Sequence, residues 1–225
     1  MTKVRTVEPM RMRRTPGARE KLHDEHGRLV VERPETHRGH WRGILSRERL
    51  EVELGAGKGQ FIVTKADGNP DVGYVAVERE PDVLLKAARK ASRVLPDNLL
   101  LLHLDVDLIA EAFEPGEVDR IYLNFSDPWP KNRHAKRRLT HRLYLDKYGQ
   151  ILAPDGEIHF KTDNEGLFEY TLEELSHRGW RLKNVRLHYG EGESPGDVPT
   201  EYEERFRGLG QRIFRLEAFR GEEPV

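Results

Sequence analysis

The segment YLNFSDPWPKNRHAKRRL, residues 122–139, places one carboxylate, Asp127, between Ser126 and the sequence Pro-Trp-Pro. The prolines at 128 and 130 fix the backbone and reduce the entropy lost in holding Asp127 in one direction. A carboxylate held in this way can orient a reactant and stabilise positive charge that develops on it. Trp129, between the prolines, either stacks on a flat ligand or packs the loop against the protein.

Positive charge follows this loop at once. Residues 131–142 contain six Lys or Arg residues and no Asp or Glu. Such clustering is typical of a contact surface for a polyanion, although a solvated basic face has the same pattern. The formal net charge of -1 hides this asymmetry, because residues 1–49 carry 13 basic and 7 acidic residues, or +6, and the rest of the chain carries -7.

A glycine cluster in EVELGAGKGQF forms a second candidate site, with Gly55, Gly57 and Gly59 close behind the acid Glu53. Glycines at the carboxyl end of a strand let the backbone turn tightly and approach a ligand closely. The spacing is G-x-G-x-G, which differs from the dinucleotide fingerprint, and Lys58-Gly59 lacks the Ser or Thr of a phosphate-binding loop. A tight strand-to-helix turn without a ligand remains the alternative.

Two further acids end neighbouring predicted strands, Glu78 after VGYVAVE and Asp105 after NLLLLHLD. Glu78 is placed to bond the two ribose hydroxyls of an adenosine, and Asp105 to bind near its adenine amino group. Glu53 would repel a pyrophosphate but attract an ammonium or sulfonium group. The three acids together favour S-adenosylmethionine (SAM) as the ligand, although each acid alone would be an ordinary solvated loop residue.

Alternating strands and helices must position these residues. Strands are predicted at 50–54, 72–78, 98–105, 118–125, 156–162, 180–189 and 211–219, and helices near 58–67 and 140–152 and at 81–95 and 164–178. This order predicts a doubly wound α/β sheet. The last two strands are separated only by a predicted loop, which indicates a C-terminal antiparallel edge hairpin. A seven-stranded mixed sheet of this kind is the Rossmann-like architecture associated with class I SAM-dependent methyltransferases.

The composition excludes several other classes of protein. The absence of cysteine excludes a disulfide framework, thiolate zinc sites and cysteine nucleophiles. The ten histidines lack the spacing of metal ligands, so no metal is expected. No apolar run approaches the roughly 18 residues of a membrane span, and the N-terminus lacks an apolar signal core. We expect a cytoplasmic protein with a basic N-terminal arm and one short helix over 1–49, a methyltransferase domain over 50–220 and a tail over 221–225.

Four stretches carry a resemblance to a known family: VELGAGKGQF, YLNFSDPWPKNRHAKRRLT, HFKTDNEGLFEY and TEYEERFRGLGQ. They resemble the successive motifs of bacterial tRNA (guanine-N7)-methyltransferases, and MRMRRTPGARE from Met10 is similar to the opening of that family. The resemblance extends from about Met10 to Phe219. It implies methyl transfer from SAM to N7 of a guanine in the variable loop of tRNA.

The resemblance also implies a role for the residues of each motif. The SAM-binding positions are Glu53, Gly55, Gly57, Gly59, Glu78, Asp105 and Asp127. Asp127 is also the catalytic position. The substrate-binding positions are Lys131, Asp163, Thr200, Glu201, Tyr202 and Glu203. The RNA-contacting positions are Arg133, His134, Lys136, Arg137 and Arg138. The implied partner is tRNA, with no membrane and no obligatory protein partner, and the protein is expected to be a monomer or a homodimer.

Guanine N7 carries an in-plane lone pair and no proton, so its methylation requires orientation rather than a general base. We expect Asp127 to orient the guanine and Asp163 or Glu203 to accept from its N1–H and N2–H₂ groups. Two alternatives stay open: methylation of an amino group on a base, and a noncatalytic RNA-binding protein that retains SAM as a structural ligand. The intact set of Glu53, Glu78, Asp105 and Asp127 disfavours the second of these.

Overall fold

The computed structural model describes residues 15–190 and 197–221. Residues 1–14 of the predicted basic arm and residues 222–225 of the predicted tail lie outside the described residues. The helices are α1 Ala18–His26, α2 Trp41–Leu45, α3 Gln60–Gly68, α4 Pro81–Val94, α5 Ile109–Ala112, α6 Arg142–Ile151, α7 Glu165–His177 and α8 Glu201–Gly208. The strands are β1 Val30–Val31, β2 Arg49–Leu54, β3 Val72–Glu78, β4 Leu99–His103, β5 Val118–Asn124, β6 Leu152–Thr162, β7 Arg181–Arg186 and β8 Phe214–Phe219.

All of these strands form one mixed sheet in the order β1-β4-β3-β2-β5-β6-β8-β7. The pairings from β1 to β6 are parallel, whereas β8 runs antiparallel to both β6 and β7. The doubly wound α/β fold with an antiparallel edge hairpin is therefore confirmed. The described sheet has eight strands rather than seven, because the two-residue strand β1 pairs with β4 and is too short to produce a readable alternation of side chains.

Helix α8 corrects the prediction that the last two strands are joined by a loop alone. Thr200 precedes the helix, and its hydroxyl accepts a hydrogen bond from the Glu203 backbone N–H at 2.9 Å. Acidic residues occupy the first turn of α8 and basic residues the last turn, which complements the helix dipole. These capping signals are present in the sequence, but they directly follow a run of glycines and prolines that is typical of a loop.

The segment before β2 contains more structure than the one short helix that was expected. It forms α1, β1, α2 and a 3-10 turn at Pro34–His37, and Leu22 and Trp41 are fully buried. The Trp41 indole N–H donates to the Ala112 carbonyl oxygen at 2.8 Å. A few well-placed apolar residues therefore hold this basic segment against the sheet, although they were too sparse to give a helical period.

Two hydrophobic clusters cover the two faces of the sheet. One joins residues of α2, α5, α6 and α7 to the sheet, and the other joins residues of α1, α3 and α4. The central strands β2 and β5 are adjacent and parallel, while the chain leaves them toward opposite sides of the sheet. In open α/β sheets the crevice beyond the carboxyl ends of such strands binds ligands. In the described part of the chain, no helix has both the length and the apolar character needed to cross a bilayer.

Candidate functional site

The glycine turn lies between β2 and α3 and requires glycine at three positions. Gly55, Gly57 and Gly59 have φ values of +73°, +58° and +75°, in the left-handed region that side chains disfavour. A Cβ atom on Gly59 would lie 2.8 Å from the Cβ of Ala87 in α4. The turn therefore brings α3 and α4 together and leaves open backbone at the carboxyl edge of the sheet.

Glu53 is the acid at the end of β2, and its side chain is buried with one oxygen unpaired. The Asn124 amide donates to Oε1 at 2.9 Å, whereas no described residue bonds Oε2. Burial raises the pKa of Glu53 to about 8. A buried carboxyl with a free oxygen is suited to a cationic ligand, because the ligand would supply both the missing hydrogen bond and the compensating charge.

Glu78 is the last residue of β3 and Asp105 follows β4, at the edge of the sheet that also carries Glu53. Glu78 accepts hydrogen bonds from the backbone N–H groups of Gly57 at 3.0 Å and Glu80 at 2.9 Å, which fix its carboxylate at the glycine turn. Burial nevertheless raises the pKa of Glu78. Asp105 accepts from the Asp107 N–H at 3.0 Å. The structure thus brings together the three acids that were predicted to bind an adenosine.

Two cavities open along this edge of the sheet. The first has a volume of about 790 Å³ and includes Glu78, Asp105 and Tyr144 in its lining. The second has a volume of about 610 Å³ and includes Glu53 and the whole glycine turn. Three residues, Gly55, Phe125 and Asp127, line both cavities. Asp127 therefore lies where a ligand in one cavity would meet a ligand in the other.

The loop that carries Asp127 is strained on both sides of the carboxylate. Phe125 has φ +50° and Trp129 has φ +41°, and such conformations cost roughly 1–3 kcal/mol each in non-glycine residues. The Phe125 N–H is held by the Lys161 carbonyl oxygen at 2.9 Å, which extends the β5–β6 pairing to the start of the loop. Asp127 itself is exposed. Its direction is set by the backbone around it rather than by hydrogen bonds of its side chain.

Trp129 is half-buried and is contacted by its own loop. The Arg137 guanidinium lies 4.8 Å from the centre of the indole ring, and the His134 ring lies at 5.8 Å. Of the two alternatives for Trp129, these contacts favour packing of the loop in the free protein.

Arg138 was predicted to contact RNA, but the structure gives it an internal role. It is buried, and it donates to the carbonyl oxygens of Pro128 at 3.1 Å and Trp129 at 3.0 Å. Its guanidinium also lies 4.3 Å from the centre of the Tyr170 ring. Arg138 therefore braces the Asp127 loop, because its planar guanidinium satisfies two loop carbonyls at once.

The remaining basic residues of this segment are differently placed. Lys131, Arg133, Lys136 and Arg137 are exposed, and Lys136 and Arg137 line the mouth of the first cavity. His134 is half-buried against Trp129. We call residues 131–137 the basic segment. It presents positive charge directly beside the junction of the two cavities.

Helix α8 brings part of the TEYE sequence to the second cavity. Thr200, Glu201 and Tyr202 line it, and the Tyr202 ring lies 5.3 Å from that of Phe125 and 4.2 Å from that of Phe206. Thr200 also caps the helix, so its position has a structural reason as well.

Glu203 was predicted to bind the substrate, but its side chain is fully buried. It accepts from Lys161 at 3.1 Å and pairs with Arg207, which directs it away from both cavities. Asp163 is half-buried, and burial raises the pKa of its carboxyl. Burial also raises the pKa of Tyr202, and the nearby carboxylates of Asp163 and Asp127 raise it further. Of the two candidates for reading guanine, Asp163 rather than Glu203 therefore lies near Tyr202, a residue that lines the second cavity.

Several lining residues were not singled out from the sequence. Asn124 positions Glu53, and Phe125 separates the cavities; both directly precede the Asp127 loop, so their place at a strand end could have identified them. Tyr144 of α6 and Leu139, shortly before that helix, also line the first cavity. No local sequence pattern predicts this position. Lys58 lines the second cavity from within the glycine turn.

One group of potential metal ligands lies in the described chain, on the sheet and outside both cavities. Ligand atoms of Glu157, His159 and Glu217 lie within 4.8 Å of one another. Lys183 already pairs with Glu157, and Arg215 with Glu217, so cations of the protein compensate both carboxylates. A divalent ion would have to compete with these fixed charges.

Comparisons with known proteins point to methyltransferases. A protein-family profile described as "Putative methyltransferase" matches residues 47–216. A tRNA (guanine-N(7)-)-methyltransferase of Lachnoclostridium phytofermentans is 46% identical over 95% of this chain and 100% of its own length. The corresponding proteins of Clostridioides difficile and Bacillus subtilis are 48% and 44% identical over 93% and 92% of this chain, and each is matched over 98% of its own length.

Solved structures share the fold at low sequence identity. The 16S rRNA methyltransferase KamB has a TM-score of 0.59 and 15% identity, covering 79% of this chain and 89% of that one. A variant of the 16S rRNA (adenine(1408)-N(1))-methyltransferase from Catenulisporales acidiphilia, solved with SAM, has a TM-score of 0.57 and 19% identity, covering 85% of this chain and 94% of that one. Since the family profile matches most of the chain and relatives 44–48% identical cover more than nine-tenths of it, this chain belongs to the family of bacterial tRNA (guanine-N7)-methyltransferases.

Proposed function

We propose that this protein transfers a methyl group from SAM to N7 of a guanine in the variable loop of tRNA, forming N7-methylguanosine. The observation that carries the proposal is the meeting of two cavities at Asp127. One cavity has the acids that suit an adenosine, and the other has an aromatic wall that suits a base. The relatives with this activity match nearly the whole chain, which supports the same reaction here.

The residues present fit SAM. The unpaired Oε2 of Glu53 would accept from the ammonium group, and the glycine turn leaves room for the methionine portion. Glu78 would bind the ribose hydroxyls, and Asp105 would bind near the adenine amino group. A site lined by carboxylates favours a ligand whose methionyl part is net positive over a ligand that carries a phosphate. When bound, SAM supplies an electrophilic methyl group on a sulfonium sulfur.

Asp127 acts on the guanine rather than on a proton. N7 reacts through its lone pair, so no general base is needed, and the purine gains positive charge as the new bond forms. A carboxylate at the junction of the cavities stabilises that charge and orients the base. The strained backbone on either side of Asp127 and the Arg138 brace keep this carboxylate in place before the substrate arrives.

Phe125 and Tyr202 supply the wall against which the guanine rests. A base turned out of its stack loses a few kcal/mol of stacking, and contact with aromatic rings returns about 1–3 kcal/mol per base. Asp163 is half-buried close to Tyr202 and would accept from the guanine N1–H and N2–H₂ groups, which adenine does not present. The exposed members of the basic segment would contact tRNA phosphates and position the substrate.

The test is a transfer assay with position mapping. The protein is incubated with labelled SAM and an unmodified tRNA transcript, and the product is reduced mildly and cleaved with aniline, which cuts at N7-methylguanosine. We expect label in the tRNA and one cut in the variable loop. Label without an aniline cut would indicate methylation of an amino group or ring nitrogen other than N7 and would refute the proposal. SAM binding without transfer would indicate the noncatalytic alternative.

A further inference from the structure

Two lysines from different elements converge on one carboxylate at the rim of the second cavity. Glu201, the first residue of α8, accepts a hydrogen bond from Lys90 of α4 at 2.7 Å, and its other oxygen lies 3.6 Å from the Lys58 ammonium. Lys90 also donates to the Gln60 side-chain oxygen at 2.6 Å, which fixes its direction. The lysines therefore hold their positions around an anion rather than extending separately into solvent.

The place of this pair differs from that of an ordinary surface ion pair. Lys58 and Glu201 line the second cavity, where the aromatic wall stands. The basic segment lies at the first cavity, where Lys136 and Arg137 contribute to the lining. An RNA strand that delivers one base to the junction at Asp127 must continue past it in both directions. The basic segment can hold the phosphates on one side, and the side toward Lys58 needs cations as well.

We propose that Lys58 and Lys90 form a phosphate-binding pair for the tRNA backbone next to the target guanine, and that Glu201 occupies this pair until the tRNA displaces it. A phosphodiester and a carboxylate each carry one negative charge over two oxygens, so one can replace the other between two ammonium groups. The inference rests on the proposed function. It gives Glu201 a role opposite to the substrate contact that the family resemblance implied, because Glu201 competes with the substrate.

Whether one substitution strengthens or weakens tRNA binding tests this role of Glu201. Glu201→Gln removes the competing charge and leaves both lysines free for the phosphate. We expect the variant to bind an unmodified tRNA transcript about 2- to 10-fold more tightly than the wild type, the range that two half-exposed ion pairs can supply. Binding is measured by fluorescence anisotropy without SAM. If Glu201 contacts the tRNA or is needed to hold α8 in place, the variant binds less tightly or equally, and the inference is wrong.

Glu204→Gln is the matched control, since Glu204 is exposed on the same helix and its substitution changes the net charge equally. We expect a smaller gain in affinity, and an equal gain would show a general charge effect and overturn the inference. In the Lys58→Gln/Lys90→Gln background, adding Glu201→Gln should give no gain. The double lysine variant should also lower the slope of log affinity against log salt by about 0.7–0.9, the amount expected for the loss of one phosphate contact.

Different results would refute the proposed function and the phosphate-pair inference. Equal SAM affinity and thermal unfolding of Glu201→Gln and the wild type verify that the variant is folded. A wild type that does not methylate tRNA would refute the proposed function. A wild type that methylates tRNA, together with a Glu201→Gln variant that binds tRNA no better, would refute only the phosphate-pair inference.

Discussion

Glu53 should make both the stability of the protein and its affinity for SAM depend on pH. As the pH rises, stability should fall and SAM affinity should increase. Its pKa is raised from an ordinary 4.5 to about 8 by burial. The folded state therefore holds a proton that the unfolded chain has already lost between these pH values, and folding becomes less favourable as the pH rises through this window. Each pH unit costs about 1.4 kcal/mol, so that at pH 7 the buried carboxyl destabilises the fold by about 3 kcal/mol.

The substitution Glu53→Gln removes this cost while it retains the acceptor for the Asn124 amide. The difference in unfolding free energy between the variant and the wild type should therefore increase by about 2.5 kcal/mol in favour of the variant between pH 5 and pH 7. Denaturant unfolding at both pH values measures it. Glu48→Gln, which changes an exposed carboxylate just before β2, is the control and should show no such change.

Binding of SAM should show the reverse trend in the wild type. The carboxyl must lose its proton to pair with the ligand ammonium, so SAM affinity should rise with pH by up to about tenfold per unit below pH 8. Titration calorimetry between pH 5.5 and 7.5, in buffers of different ionisation enthalpy, would detect the released proton. A wild-type affinity that is flat over this range, or a Glu53→Gln variant that binds SAM as tightly as the wild type at pH 7.5, would contradict this role of Glu53.

Three further outcomes follow from the site. Asp127→Asn should lower the single-turnover rate of methyl transfer at saturating SAM by roughly 10²–10³-fold, and near-normal turnover would contradict a charge role for Asp127. Gly59→Ala should destabilise the protein by roughly 2–4 kcal/mol in denaturant unfolding, because the left-handed φ and the contact with Ala87 both oppose a Cβ atom. Arg137→Gln should weaken tRNA binding and flatten its salt dependence without lowering Tm, whereas Arg138→Gln should lower Tm; the reverse pattern would show that the buried and exposed roles are misassigned.

The features that depend on neighbouring residues in the chain were predictable from the sequence. The apolar run VGYVAVE became β3 over the expected residues, and the acids Glu53, Glu78 and Asp105 meet because parallel strands end at one edge of a sheet. The glycine spacing indicated a turn that the φ values of all three glycines require.

The features that depend on distant partners were not predictable. Arg138 differs from Arg137 only in the direction that the backbone gives it, and that direction makes one a buried brace and the other a surface cation. Glu203 looks like an available acid in the sequence, but Lys161 of β6 pairs with it across the fold. The short strand β1 exists only because β4 offers it an edge.

The residues that line the two cavities come from different parts of the chain, because α8 lies close to its C-terminal end. The residues that line the first cavity all lie between 55 and 144, whereas the second cavity also needs residues 200–205. These residues lie on the connection between β7 and β8, outside the parallel part of the sheet. A change in this single connection would therefore alter the wall of the second cavity, while every residue that lines the first cavity stays in place.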